Sequence, residues 1–316
     1  MTSRTHRLES LLFTVLLSAS ALGAERRIKS ELWGGVDLTG GDVTYEIGGQ
    51  IRQGPMVEDL HFPISRLEWP LNAAMLSLGG SVEVGAFDAR AVFSKNAARD
   101  AGKMKDSDWE IDEMPDVLTT YSESDTEFDA WQADGSVRYW VLFPTGNPKE
   151  TVRLGGGIGV LYQDFSWEAK DTDQWYPQRP DLGHDILRGV TITYDARVLM
   201  PYVEVGGKMT YGPLYFEGRL GWSPYTQVED VDDHKLRYIR AETTSDGAGA
   251  FAELLGRYTF SNGAFLQCAV HMLAFETKGT EKDFVYAGPD YGTSWEIEHE
   301  VRSSQARLTL AGGMAF

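Results

Sequence analysis

The sequence predicts an all-β fold, a ten-stranded antiparallel transmembrane β-barrel that extends above the outer membrane. Three observations support this. Apolar side chains recur at every second position in several segments, and the connections between these segments are alternately short and long. No stretch after the N-terminus has the roughly 18 to 20 consecutive apolar residues that a membrane-spanning helix needs. A membrane-embedded chain of this kind must therefore cross the bilayer with strands, because only helices and closed barrels satisfy every backbone hydrogen bond there.

The N-terminus has the features of a secretory signal peptide. A basic start is followed by a mostly apolar run over 11–17 and then by small residues. Cleavage is expected after Ala21 or after Ala24. The predicted organisation is a signal peptide over 1–24 and a single barrel domain over 25–316.

The alternation is clearest in four segments. Even positions from Leu214 to Pro224 are mostly apolar, with Glu217 and Arg219 on the opposite face, and the segments 152–160 and 264–274 repeat the pattern. A polar second face is what a water-filled or hydrogen-bonded lumen requires. The fourth segment runs from Ala306 to Phe316 and resembles the terminal strand of bacterial outer-membrane barrels. The alternative for this last segment is an edge strand of a soluble sandwich.

The connections fall into two classes. Tight turns are predicted at 144–148, 211–213 and 261–263. Long polar stretches are predicted at 48–61, 97–127, 171–187, around 230–234 and at 278–294. An up-and-down barrel with periplasmic turns and extracellular loops has this arrangement, so the long connections are expected at the extracellular end.

Composition limits the possible partners. The formal net charge of -18 argues against nucleic acid and favours cationic peptides or proteins. The single cysteine, Cys268, excludes an internal disulfide and cannot build a multi-thiolate metal site.

Two acidic clusters share one spacing. Asp230, Asp232 and His234 are two residues apart, so an extended chain places all three on one side. Asp106 and Asp108 have the same spacing. A histidine beside carboxylates is suited to act as an oriented general base, whereas the alternative for the stretch around Asp230 to His234 is an acidic, solvated loop tip.

Several motifs, in this order along the chain, resemble those of the omptins, a family of ten-stranded outer-membrane proteases of Gram-negative bacteria. The resemblance covers nearly the whole mature chain. The motifs are Ile64-Ser65-Arg66-Leu67-Glu68-Trp69, Asp106-Ser107-Asp108-Trp109, Met200-Pro201-Tyr202, Gly221-Trp222-Ser223 and Asp232-Asp233-His234.

The resemblance implies a catalytic site. An Asp-His couple, Asp232 and His234, would face an Asp-Asp couple, Asp106 and Asp108, with the attacking water held between them. Acidic residues that select a basic side chain before the cleaved bond would be Asp230, which matches the family directly, and Glu46, for which a solvated rim carboxylate is the alternative.

The resemblance also implies a lipopolysaccharide site on the outer wall. Its candidates are Tyr162, Asp164 and Arg197, with ordinary rim residues as the alternative. A neighbouring arginine of the family pattern is missing, and Thr244 stands about where a lysine is usual. The resemblance thus implies that activity requires lipopolysaccharide, but the incomplete site leaves this requirement open.

The predicted function is that of an omptin-type aspartic endopeptidase of the outer membrane. It would cleave next to basic residues at a site facing the extracellular side, with neither a metal nor another cofactor. Two alternatives remain open: an inactive omptin-like barrel that serves as an adhesin or surface-binding protein, and a small porin. The histidines His61, His184, His271 and His299 are assigned no chemistry.

Overall fold

The computed structural model describes residues 28–147 and 149–316, so the predicted signal peptide lies outside the described residues. Thirteen strands and a short 3-10 helix at Pro180–Leu182 make up the described chain. The strands are β1 (Ile28–Gln53), β2 (Met56–Asp59), β3 (Ser65–Pro70), β4 (Ala73–Val84), β5 (Phe87–Asn96), β6 (Asp100–Asp108), β7 (Thr120–Phe143), β8 (Glu150–Trp175), β9 (His184–Tyr211), β10 (Leu214–His234), β11 (Ile239–Thr259), β12 (Ala264–Val285) and β13 (Ser294–Ala315).

The strands close into a ring. Each strand from β7 to β13 pairs antiparallel with the next, and β13 pairs with β1. β3 and β4 both pair with β1, one above the other, and β5 and β6 both pair with β7, so each of these pairs forms one wall strand. β2 adds only a small hairpin to the end of β1. The ring therefore has about ten strands, which confirms the predicted ten-stranded antiparallel barrel.

The two ends of the barrel differ. At the turn end, short connections follow Val84, Phe143, Tyr211 and Thr259. At the loop end, the connections are 54–64, 109–119, 176–183, 235–238 and 286–293. Among the described residues, no helix is long and apolar enough to cross a membrane.

Several predicted long connections are strands. Most of 97–127 belongs to β6 and to the start of β7, β12 continues to Val285, and Asp230 to His234 lie in β10. The backbone ladder continues above the membrane, but both faces there carry polar side chains. The apolar alternation therefore ends before the strands do, and the barrel rises well above the bilayer.

Outward-facing apolar side chains surround the turn-end half of the barrel. This belt fits lipid rather than water, because an apolar surface of this extent is unfavourable on a soluble protein. Its most exposed members include Leu32, Leu76, Leu78, Leu154, Ile158, Val203, Val205, Leu220, Leu254, Leu266, Met272 and Leu310.

The lumen is filled in layers. Inside the belt, a buried network of ion pairs includes Arg138 with Asp88 at 2.7 Å and Arg219 with Glu204 at 2.9 Å. Nearer the loop end follows an aromatic layer, in which the rings of Trp69 and Tyr194 are stacked 5.5 Å apart. The other aromatic members of this layer are Tyr45, Phe128, Phe165, Trp167 and Phe275. This layer forms a floor beneath the loop end.

Candidate active site

The end of β10 forms one side of the candidate site. Asp232 and His234 both point into the lumen, and Nε2 of His234 lies 2.8 Å from Oδ2 of Asp232. The spacing of two residues along a strand produces this contact, because alternate side chains share a face. Asp232 is buried, whereas His234 is partly exposed to the opening. Asp233 points the other way, where it contacts Lys235 at 2.5 Å and Tyr286 at 2.9 Å.

The end of β6 forms the second side. Asp106 and Asp108 pair in the ladder with Leu67 and Ser65 of β3. Burial raises the pKa of Asp106 well above its ordinary value, and the negative charges of Asp108 and Asp232 add to this rise. Burial also raises the pKa of Asp108. The structure therefore brings the four predicted catalytic residues into one electrostatic neighbourhood, with a proton favoured on the Asp106–Asp108 pair.

Arg237, in the turn between β10 and β11, also belongs to the site. Its Nη2 lies 2.6 Å from Nδ1 of His234, so the arginine donates a hydrogen bond to this ring nitrogen. This arrangement fits a neutral imidazole whose proton is on Nε2, toward Asp232. The positive charge of Arg237 opposes the burial that raises the pKa of Asp106 and of Asp108. No sequence motif pointed to this residue.

Further carboxyl groups lie beside Asp232. Burial raises the pKa of Asp230 to about 7, and the hydroxyl of Tyr194 donates to its Oδ2 at 2.9 Å. Glu281 and Asp283, on β12, are also buried. The Tyr45 hydroxyl donates to Glu281. Sequence reasoning missed both residues because it treated 278–294 as a loop, although their spacing is that of Asp106 and Asp108.

His299 lies on the floor of this cluster. It is 1% exposed, its Nε2 is 3.4 Å from Oδ2 of Asp230, and its ring centroid is 4.8 Å from that of Tyr45. Burial lowers the pKa of His299 to about 3, so its ring is neutral near pH 7. The prediction that it has no role in chemistry stays untested, but its place beside Asp230 was not expected.

Sequence comparison places these residues in a known family. Residues 56–292, which include all four predicted catalytic residues, match the model of the omptin family. The chain belongs to the omptin family.

Individual relatives of this omptin are distant. Protease 7 of Escherichia coli O157:H7 is 25% identical over 184 residues, which cover 54% of this chain and 55% of that protein. The plasminogen activator of Yersinia pestis is 24% identical over 210 residues, which cover 63% of this chain and 64% of that protein. The matches thus span little more than half of the first relative and less than two thirds of the second.

The fold agrees with a solved structure. The outer membrane protease OmpT from Escherichia coli matches this omptin with a TM-score of 0.66 at 18% identity, covering 92% of this chain and 99% of that chain. At this identity the likeness shows the fold. Together with the family match, it indicates that the chain is an outer-membrane protein.

Glu46, the predicted partner of Asp230, is not brought to the cluster. It follows Tyr45 in β1 and therefore points to the opposite face of the strand, toward the outer wall. There its carboxylate is 2.5 Å from Nε of Arg66 and also bonds to Arg302. In this omptin the Glu46 carboxylate is held between two arginines outside the lumen.

The predicted lipopolysaccharide residues lie together on the outer wall. Asp164 and Arg197 are ladder partners on β8 and β9, with Oδ2 and Nε 3.6 Å apart. Tyr162 is two residues from Asp164 and packs on Trp131, with ring centroids 5.0 Å apart. Arg197 is exposed beside the outward-facing Leu199, as the alternation predicts. A lipid role for the three residues stays a prediction.

Metal binding has no structural support within residues 28–147 and 149–316. No group of three or more His, Cys, Asp or Glu side chains there is arranged to hold a metal ion. Two of the histidines to which no chemistry is assigned contact carboxylates at the loop end, since His61 lies 2.9 Å from Asp112 and His184 lies 2.7 Å from Asp173. His271 stacks on Phe251 inside the lumen.

Proposed function

We propose that this omptin is an outer-membrane endopeptidase that cleaves peptide bonds next to basic residues. The observation that carries the proposal is the hydrogen-bonded Asp232–His234 couple, which shares the loop end of the lumen with Asp106 and Asp108. The protease names of the two relatives and of the matching solved structure support a hydrolase. The loop end would face the extracellular side, where peptides reach it without crossing the membrane.

In the proposed reaction, His234 acts as the general base. Its Nε2 is bonded to Asp232, so Nδ1 is the nitrogen that takes the proton from water, after Arg237 has moved away from it. The water oxygen then forms a bond to the scissile carbonyl carbon. When the C–N bond breaks, the imidazolium returns the proton to the leaving amine. No covalent enzyme intermediate forms.

The carboxyl groups have separate tasks in this mechanism. Asp232 orients the ring and stabilises its positive charge, as a carboxylate beside an imidazole does. Asp106 and Asp108 hold the water from the opposite side, and a proton kept on this pair allows one of them to donate as well as accept a hydrogen bond. This assignment makes the enzyme aspartic in type.

Asp230 supports selection of a basic side chain. It is buried beside Asp232, so a guanidinium or ammonium group bound there would lie close to the reacting bond. Charge-assisted hydrogen bonds in a site with little water are strong and would favour arginine or lysine over neutral side chains.

Lipopolysaccharide is the proposed lipid partner. Arg197, exposed at the edge of the apolar belt, is placed to bind a lipid phosphate, with Tyr162 and Asp164 beside it. Such binding would support activity from the outer wall, without contact with substrate.

The filled lumen argues against the porin alternative. Arg219 is 2% exposed and lies between Glu204, at 2.9 Å, and Glu253, at 3.0 Å, inside the membrane belt. The aromatic layer closes the same lumen nearer the loop end. A continuous water-filled channel would require both layers to open.

The test is cleavage of an Arg-Arg peptide by purified protein refolded with lipopolysaccharide, followed by mass spectrometry of the products. The wild type should cleave, and an Asp232→Ala, His234→Ala double variant should lose about 10²–10⁴-fold in rate, the usual contribution of a general base. Asp233→Asn is the matched control, because this neighbour points away from the site and should leave cleavage unchanged. Equal rates for the wild type and the double variant would refute the proposal.

A further inference from the structure

Four buried carboxyl groups lie on the inner wall above the aromatic layer, and together they are called the square. They are Asp230, Asp232, Glu281 and Asp283. Two of them lie two residues apart on β10 and two lie two residues apart on β12, with β11 between. Their positions follow from the ladder, in which Ala241 pairs with both Asp232 and Asp283, and Thr243 pairs with both Asp230 and Glu281.

The carboxyl groups of β10 and β12 face each other across a single strand. Neighbouring strands are about 4.8 Å apart, so the backbones of β10 and β12 stand roughly 10 Å apart across β11. Between Asp232 and Asp283, the intervening side chain is only the methyl group of Ala241. Carboxyl groups reaching inward from both sides therefore approach each other over a small residue.

Two histidines contact the square, His234 at Asp232 and His299 at Asp230. In the part of the chain that the structure describes, none of the 31 ion pairs joins a lysine or arginine to any of the four. Three of them carry a buried oxygen without a hydrogen-bond partner, namely Oδ1 of Asp232, Oε1 of Glu281 and Oδ2 of Asp283. Glu281 is 1% exposed and Asp283 is 5% exposed. Buried oxygens without a protein partner are uncommon and are satisfied by water or by a bound ligand.

We infer that Glu281 and Asp283 form the second half of the substrate's cation site and hold a guanidinium or ammonium group between themselves and Asp230. The inference rests on the proposed function and identifies which residues read the charge. A planar guanidinium with five N–H donors suits oxygens that converge from two strands. Because Asp283 lies in the same ladder row as Asp232, the bound side chain belongs to a residue next to the cleaved bond.

The family resemblance suggested that β1 supplies the second acidic residue that selects a basic side chain. This assignment gives that role to β12. Glu46 of β1 is already paired with Arg66 and Arg302 on the outer wall. On the inner face, β1 contributes Tyr45, whose hydroxyl donates to Glu281. The tyrosine thus orients an acidic group that comes from another strand.

Protons replace the cation when the site is empty. Burial and the neighbouring carboxylates raise the pKa of Glu281 well above its ordinary value, and burial raises the pKa of Asp283 to about 7. The groups that face the square are hydroxyls, imidazoles, one further carboxyl and a cation at the upper edge. They are Tyr45, Tyr194, Thr243, His234, His299, Asp106 and Arg237. Binding of a basic side chain should therefore release protons.

The test compares two peptides that differ only in arginine or citrulline before the cleaved bond. Citrulline keeps the size of arginine but has no charge. Glu281→Gln should lower kcat/KM for the arginine peptide by about 10- to 100-fold, the usual effect of removing one partner of a buried charge-assisted bond. The citrulline peptide should lose less than about 3-fold, and Asp283→Asn should show the same selectivity.

The matched control is Glu300→Gln. Glu300 is a buried carboxylate at a similar height, but it pairs with Lys278 at 2.8 Å on the outer wall, so neither peptide should be affected. Circular dichroism and the heat-modified gel mobility of each variant report folding. An equal loss on both peptides, or no loss on either, in folded Glu281→Gln and Asp283→Asn would overturn the inference.

Failure of the proposed function would have a different signature. In that case the wild type cleaves neither peptide, and binding of the same two fluorescent peptides is measured instead. Tighter binding of the arginine peptide that is lost in Glu281→Gln supports the cation site, whereas equal binding of both peptides overturns it.

Discussion

Two groups of buried carboxyl groups in the same lumen differ in whether arginines pair with them. Inside the membrane belt, Arg219 is close to Glu204, Glu253 and Asp134, at 2.9, 3.0 and 3.7 Å. At the loop end, the carboxylate square has no lysine or arginine ion pair within the described chain. Both regions hold carboxyl groups away from water, but only in the lower one do arginines form ion pairs with them.

The difference separates a structural from a functional use of charge. A buried charge with a hydrogen-bonded partner is tolerated, while one without a partner costs stability. A fold retains such a cost at sites where a ligand supplies what is missing. The paired region should therefore respond to substitution by unfolding, and the unpaired region by a loss of activity.

The largest effect is expected in the paired region. Arg219→Met leaves Glu204 as a buried charge without its arginine and leaves Glu253 with Arg90 alone, so the free energy of unfolding should fall by about 3–5 kcal/mol. Refolding into lipid at increasing urea concentration measures this loss. Arg240→Met removes an exposed arginine that is 2.9 Å from Glu242 and should change the same measurement by less than about 1 kcal/mol. Similar values for both variants would contradict the contrast.

Neutralising a member of the square should raise the free energy of unfolding instead of lowering it. Because the folded-state pKa of Asp283 is raised to about 7, this group contributes stability that is full below its unfolded pKa and is lost as the pH rises through about 7. Asp283→Asn should therefore be about 1–2 kcal/mol more stable than the wild type at pH 8 and similar to it at pH 4. Urea midpoints at the two pH values decide this, and a variant less stable than the wild type at pH 8 would show that the carboxylate is paired after all.

The smallest effect is expected at Arg237, an arginine at the rim of the square. It contacts Nδ1 of His234, the nitrogen that takes the proton from water in the proposed reaction. Arg237→Ala removes this positive charge and should lower KM for an arginine peptide by about 2- to 5-fold, the size of an exposed charge interaction. Steady-state kinetics measure the change. A large loss of kcat would instead assign Arg237 a direct part in the reaction.

The fold was predictable because the lipid belt imposes a strict alternation on the sequence. That signal ends where the outer wall leaves the membrane, which is why β6 and the upper half of β12 were predicted as loops. In β12 the even-numbered residues from Leu266 onward face outward. Continuing this alternation would have placed the odd-numbered Glu281 and Asp283 inside the lumen. The same alternation from Leu38 places Glu46 on the outer wall, where the structure has it.

The catalytic candidates were predictable for another reason. Asp232 and His234 are local in sequence, so their spacing alone determines their contact. Asp230 and Glu281 lie in one row because of the register of two ladders across β11. His234 contacts Arg237 because of the shape of a turn. A single sequence does not specify either.

The most direct test of the unpaired square is the pH dependence of charge discrimination by the wild type. The ratio of kcat/KM for the arginine peptide to that for the citrulline peptide is measured from pH 5.5 to 8.5, so that effects of pH on the shared chemistry cancel. Since burial raises the pKa of Asp230 and of Asp283 to about 7, the ratio should rise with pH through that value. A ratio that stays flat across the range, or that remains near one at pH 8.5, would contradict the account.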